Sequence, residues 1–405
     1  EELTPFLRSL SSTFNFNFGQ RAFSYTPPTG FNKLSSSDSI PNVPSVVKPQ
    51  KFFDTILYSG NSSTQTITGL EFKPDFVWVK RRNGDNSHII TDSVRGVHKY
   101  LVASATNTEN DNSIYLTAFN NGGFTSGNNG DMNVTGRTYV AWCWKAGGNS
   151  NTFNIDGTGY ATAAAAGLDG GSLDPTGASI NTESGFSILT YTGTDNVSET
   201  IAHGLGKKPA WIMVKARNVD GQDWIIYNKN LDGGNEPATH TLKLNGYGAE
   251  QDLNDVWQDT EPTSSLFTIG TEAMVNHQSG HLYVAYCWAE IPGFSKFGVY
   301  TGNGSSEGTY VELGFRPAFV MTRGTHGTSW YIYDNKRNTS NVVNLELNAN
   351  NNQTEATFTT MDFLASGFKL RTSNDAFNYN NYTYVYMAFA EQPGTTSFDT
   401  ISNAL

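Results

Sequence analysis

Cysteine is almost missing: the 405-residue chain has two, Cys143 and Cys287. A zinc site needs about four clustered ligands, so thiolate metal chemistry is not expected. Charge is also scarce, at 16% of residues against a usual value of about 25%. Lys and Arg total 26 against 37 Asp and Glu, a net charge of −11. The longest basic run is Lys80-Arg81-Arg82. No stripe exists that would displace counterions, so no nucleic-acid partner is expected. No run approaches the ~18 apolar residues of a spanning helix, so no membrane insertion is expected. The chain opens EELTPF, with no initiator Met and no basic-then-apolar leader, and is therefore expected to be processed or part of something longer. A nucleophile elbow, a P-loop, a dinucleotide fingerprint and HExxH are all missing, so no catalytic residue is assigned and no enzyme is expected.

What is abundant is glycine (40 residues) and aromatic side chains (13%), with Asn and Ser crowding the spaces between short β-branched and aromatic runs. No long amphipathic helix can be read. This is the pattern of an all-β chain with a turn every ~8–12 residues.

Internal repetition decides the architecture. YSGN (58–61), YTGT (191–194) and YTGN (300–303) each precede a Pro-led apolar strand: PDFVWVKRR (74–82), PAWIMVKAR (209–217) and PAFVMTRGT (317–325). HIITD (88–92), WIIYN (224–228) and WYIYD (330–334) follow, then LKLN (242–245) and LELN (345–348) in the last two copies. Each unit closes on TYVAWCW (138–144), LYVAYCW (282–288) or TYVYMAF (383–389). The cysteines thus stand at one position in two copies, where the third has Ala388, and no disulfide is expected between them. Along the closing strand Tyr139, Ala141 and Cys143 share one face, and Val140, Trp142 and Trp144 the other. Both faces are apolar, as in a strand covered on both sides.

The expected organisation is three tandem antiparallel β-sandwich repeats, jelly-roll-like, each burying a private core, at 52–146, 185–295 and 296–395. Residues 1–51 form an extended N-terminal strand and Pro-containing linker, 147–184 a Gly/Ala/Ser-rich linker or ordered insertion, and 396–405 a tail. In STFNFNFGQ (12–20), Phe14, Phe16 and Phe18 share one face. A half-apolar strand must pair, so these three are candidates for assembly by strand addition or for the last strand of an upstream domain.

The run TFNFNFGQRAFSYTPPTGF, followed by FFDTILYSGN and PDFVWVKRR, resembles repeat domains of tail-fibre and virion-appendage proteins of tailed phages, especially those of marine bacteria and cyanobacteria. In such proteins a SPRY-like, concanavalin-type domain ends in the first segment. The resemblance covers about 14–395 and implies a structural or adhesive virion-surface protein, with no catalytic residue carried over. A homotrimer, contacts with other virion proteins and a host surface glycan are the partners expected. The alternatives are an architectural capsid decoration or connector protein and an extracellular bacterial adhesin or filament subunit.

Few residues invite site chemistry. His277 and His281 are four apart, but the QSG between them breaks a helix. Asp156, Asp169 and Asp174 have the oxygen chemistry for calcium, yet their spacing matches no known loop, so no cofactor is expected. Glu290 and Glu391 share a repeat position that the first copy fills with Lys145-Ala146, which reads as surface or interface. Trp224, Tyr227, Trp330 and Tyr333 recur and read as core. In FNYNNYTY (377–384), rings and amides suit sugar stacking, making Phe377, Tyr379, Asn380, Asn381 and Tyr382 the glycan candidates beside the plainer reading of a polar turn.

Overall fold

The computed structural model describes residues 48–277 and 280–391. The strand carrying Phe14, Phe16 and Phe18 and the tail at 396–405 lie outside the described residues. The fold is all-β: the two α-helices described, Asn254–Trp257 and Asp375–Asn378, are four residues each.

Each sequence copy builds one long antiparallel sheet in the same strand order. In the first copy the order is Phe53–Ser59, Thr138–Trp144, Phe76–Arg81, Ile89–Asp92, Lys99–Val102, Asn110–Asp111. In the second it is Phe186–Thr192, Leu282–Ala289, Pro209–Ala216, Ile225–Asn228, His240–Lys243, Gln251–Asp252. In the third it is Ser295–Thr301, Thr383–Ala390, Pro317–Gly324, Tyr331–Asp334, Val343–Asn348, running on into Ala356–Leu364. A short second sheet closes the first two sandwiches, Gln65–Thr68, Gly123–Ser126 and Leu116–Asn120 in the first copy and Glu199–Ala202 with Leu266–Ile269 in the second, while in the third the long sheet itself continues through Gly367–Leu370 and Tyr310–Glu312. Pro209 and Pro317 each open their strand, where no ladder donor is required.

Residues 147–184 are an ordered insertion. Phe153–Ile155, Thr158–Tyr160 and Gly177–Asn181 extend the second long sheet beyond Phe186–Thr192. Phe153, Leu168, Ala178 and Ile180 anchor the insertion in the second copy's core.

The expectation of private cores is half of the picture. Tyr139, Ala141 and Cys143 do face a core inside the first sandwich, as Tyr283, Ala285 and Cys287 do in the second and Tyr384, Tyr386 and Ala388 in the third. Both cysteines are free and buried. The opposite face of each closing strand enters one common core. Val140, Trp142 and Trp144 meet Val284, Tyr286 and Trp288, with Val385, Met387 and Phe389, in a cluster drawn from all three copies. Trp144 lies with its ring centroid 6.3 Å from Trp288 and 5.5 Å from Phe389. The correction has a simple cause. A sandwich hides one face of its long sheet, and a second apolar face must be hidden by something else. Here the other two copies hide it, and the described residues form one compact unit.

Hydrogen bonds between copies run cyclically. Trp224 Nε1 of the second copy donates to the Val102 carbonyl of the first at 2.9 Å, and Trp330 Nε1 of the third to Lys243 of the second at 2.9 Å. His88 occupies the equivalent place in the first copy, beside the Asn348 backbone of the third. Its Nδ1 accepts Trp78 Nε1 at 2.9 Å, and burial holds its pKa well below 6.5, so the ring is neutral. Lys80, Lys215 and Arg323 also reach carbonyls of the neighbouring copy: Asn352, Thr106 and Lys243. Burial lowers the two lysines to about 8 and Arg323 to about 10. Three sandwiches therefore close into a ring with threefold pseudosymmetry.

Candidate functional site

The Y-x-G signature is the key to the surface. Tyr58, Tyr191 and Tyr300 stack on Tyr139, Tyr283 and Tyr384 with centroids 5.0, 5.1 and 5.0 Å apart. The first Tyr of each pair donates to a loop carbonyl: Met132 at 2.8 Å, Val275 at 2.6 Å and Phe377 at 2.9 Å. The second accepts a loop amide, from Val134, His277 and Tyr379, each at 2.9 Å. A buried Asn completes the clamp. Asn133, Asn276 and Asn378 accept the amides of Asn61, Thr194 and Asn303 at 2.8, 2.8 and 2.9 Å. The glycine is there because the loop backbone passes close by. A Cβ on Gly60, Gly193 or Gly302 would stand 2.3, 2.4 or 2.2 Å from the carbonyl oxygen of Val134, His277 or Tyr379. Each copy thus ties down the loop before its closing strand at Val134, His277 or Tyr379.

Among the described residues, only the third copy arms that loop with exposed tyrosine rings. Tyr379 is 50% exposed and Tyr382 41%, with centroids 5.0 Å apart and edge to face. Asn380 and Asn381 are exposed between them, and Asn381 takes the left-handed conformation that turns the loop. Phe377 does not belong to this surface. It sits in the short helix Asp375–Asn378, buried with its ring 4.3 Å from Tyr331, because the helix turns its apolar side to the sandwich core. A sugar-stacking role for Phe377 is therefore withdrawn.

Two neighbours were not singled out from sequence. His326 packs its ring 4.3 Å from Tyr382. Gly327 then brings the turn against the second copy, where an added Cβ would lie 3.0 Å from Tyr247 O and Ala249 N. Tyr247 itself is 75% exposed. A signal existed: the third copy has His326 where the others have Asn83 and Asn218. Those asparagines tie down their own closing strands, accepting the amides of Thr138 at 2.9 Å and Leu282 at 2.7 Å.

The remaining candidates scatter. Asp156 accepts the Thr182 amide at 2.8 Å and hydroxyl at 2.6 Å, while Asp169 and Asp174 are exposed elsewhere on the insertion. The rings of His277 and His281 are 5.1 Å apart. No group of three or more His, Cys, Asp or Glu among the described residues is placed to hold a metal ion. Glu290 pairs with Lys229 at 2.7 Å and Glu391 with Arg316, each within an ion pair of its own. Trp224, Tyr227, Trp330 and Tyr333 are fully buried.

A family model matches residues 48–393, and its description reads Domain of unknown function (DUF7483). Comparison with curated proteins finds no match, and neither does comparison with solved structures.

Proposed function

The chain belongs to the family described as Domain of unknown function (DUF7483), and from that premise we propose that it is a non-enzymatic phage virion protein, a tail-fibre, appendage or spike component that assembles at the virion surface and attaches to a host glycan. The observation that carries the reading is the clamped loop of the third copy, with Tyr379 and Tyr382 exposed on a fixed backbone beside the amides of Asn380 and Asn381. Rings held in place lose little freedom on stacking against a sugar, and amides supply both donors and acceptors for hydroxyls. The resemblance to phage appendage repeats supports the setting. The closed three-copy block suits a load-bearing part, and the perturbed cations that an enzyme would place in a cleft are spent here between copies. Assembly with copies of itself, as a homotrimer, and with other virion proteins belongs to the same proposal, with Phe14, Phe16 and Phe18 as its assembly strand.

The test is a glycan array probed with the full chain and with a Tyr379→Ala/Tyr382→Ala variant. A ring stack contributes about 1 kcal/mol, so losing both should cut binding about tenfold or more. A silent array for the unaltered chain would contradict attachment and favour the decoration or connector role.

A further inference from the structure

The three junctions between copies follow one plan, and one of them lacks the arginines that pair with its glutamate, keeping only Arg323 on the carbonyls of Lys243 and Gly248. Between the first and second copies, Glu109 receives Arg217 Nε and Nη2, each at 2.9 Å, and Arg95 Nη1 at 3.1 Å. Between the third and first, Glu355 receives Arg82 Nε and Nη2, each at 2.9 Å, and Arg337 Nη1 at 3.2 Å. Between the second and third the backbone part of the plan is intact. The Glu250 amide donates to the Thr325 carbonyl at 2.8 Å, as Glu109 does to Arg217 at 2.6 Å and Glu355 to Arg82 at 2.9 Å. The side chains differ. Thr325 stands in the place of Arg82 and Arg217, and Leu231 in the place of Arg95 and Arg337.

Glu250 is left half-buried, accepting the Asp232 amide at 3.3 Å, and no Lys or Arg pairs with it among the described residues. It lines a cavity of 420 Å³ with Lys243, Tyr247, Gly248, Ala249 and Gln251. Lys243, the cation in that lining, commits Nζ to Asp223 at 2.8 Å. Tyr247 stands exposed at the same place.

We propose that this cavity receives the guanidinium of an arginine from a partner protein chain, which takes the place that Arg217 and Arg82 fill at the other two junctions. Guanidinium fits better than ammonium because the plan is a two-pronged contact with one carboxylate, which a planar fork makes and a point charge does not. Tyr247 offers a ring face to the same cation. The net charge of −11 favours a basic partner at long range. The inference stands independently of the virion reading.

Saturation-transfer NMR on the full chain tests it, with N-acetyl-arginine amide as the probe and the neutral isostere N-acetyl-citrulline amide as control. Transfer to the arginine probe is expected, with about a tenth as much to citrulline. Glu250→Gln should abolish it. Thr325→Arg should abolish it too and raise Tm, because the new side chain occupies the cavity from within. The proposal is overturned if the unaltered chain shows no transfer at about 10 mM probe, above the ~1 mM Kd expected of a weak single-group contact. Equal transfer to citrulline, or undiminished transfer to a folded Thr325→Arg chain, overturns it as well.

Discussion

At the scale of single residues, Glu109 and Glu250 hold equivalent positions in opposite surroundings. Burial works against the charge of Glu109, but Arg217 and Arg95 outweigh it and hold the carboxyl below its ordinary 4.5. Burial raises Glu250 above 4.5, opposed by the Asp232 amide hydrogen bond and by His240, with the Asp232 charge adding a smaller repulsion. The two therefore respond to pH with opposite sign. For Glu109 the folded state binds fewer protons than the unfolded one below pH 4.5, so its stabilisation is full above 4.5 and is lost as pH falls through the folded value. For Glu250 the folded state binds more protons just above pH 4.5, so its contribution falls as pH rises through that window. Glu109→Gln should cost about 3 kcal/mol at pH 7, since it leaves the mostly buried Arg217 guanidinium without its carboxylate, while Arg95 keeps Asp92. Glu250→Gln should change stability by no more than about 1 kcal/mol, in the favourable direction, because it removes a half-buried unpaired charge. Urea unfolding of both variants at neutral pH decides this, and equal losses would show that the junctions are electrostatically alike.

At the scale of elements, the loop before each closing strand is held by two hydroxyls, an amide and a glycine close approach. Tyr384→Phe leaves the Tyr379 amide without its acceptor and should cost about 1–3 kcal/mol. Gly302→Ala should displace the loop outright, since its Cβ would stand 2.2 Å from the Tyr379 oxygen. Proteolysis within 377–382, faster in Gly302→Ala than in Tyr384→Phe, is the expected readout. Equal resistance in all three chains would mean that the clamp does not hold the loop. Much of this level was legible. The repeated strands, their order along the chain and the burial of both faces of TYVAWCW follow from period-two alternation. The clamp was not, because Tyr58 and Tyr139 meet across 81 positions and a Y-x-G motif does not announce what its glycine must avoid. Phe377 was misplaced for a related reason: a one-turn helix has too few residues to show a periodic face.

At the scale of the whole molecule, the repeats could be counted from sequence, but their mutual arrangement could not. Apolar residues at Trp142, Tyr286 and Met387 say that a second face is covered without saying by what. The junction chemistry is written in co-varying positions. Trp142 Nε1 donates to Asp334 at 3.0 Å and Tyr286 Oη to Asp92 at 2.7 Å, each Asp also holding an Arg three residues on. The remaining set is Met387, Asn228 and Leu231, in which donor, acid and base are lost together. Burial opposes the charge of Arg95 and Arg337, and Asp92 and Asp334 outweigh it, so both guanidiniums stay charged inside the ring. A domain cut out of this ring would expose Trp, Tyr and Phe side chains that no surface of its own can cover.

Differential scanning calorimetry of the full chain tests the shared core most directly. One transition over 48–391, with calorimetric and van't Hoff enthalpies in agreement, is the result this structure predicts, because no copy can leave without opening the other two. Three separable transitions, or an isolated 185–295 fragment melting as it does in the full chain, would contradict it.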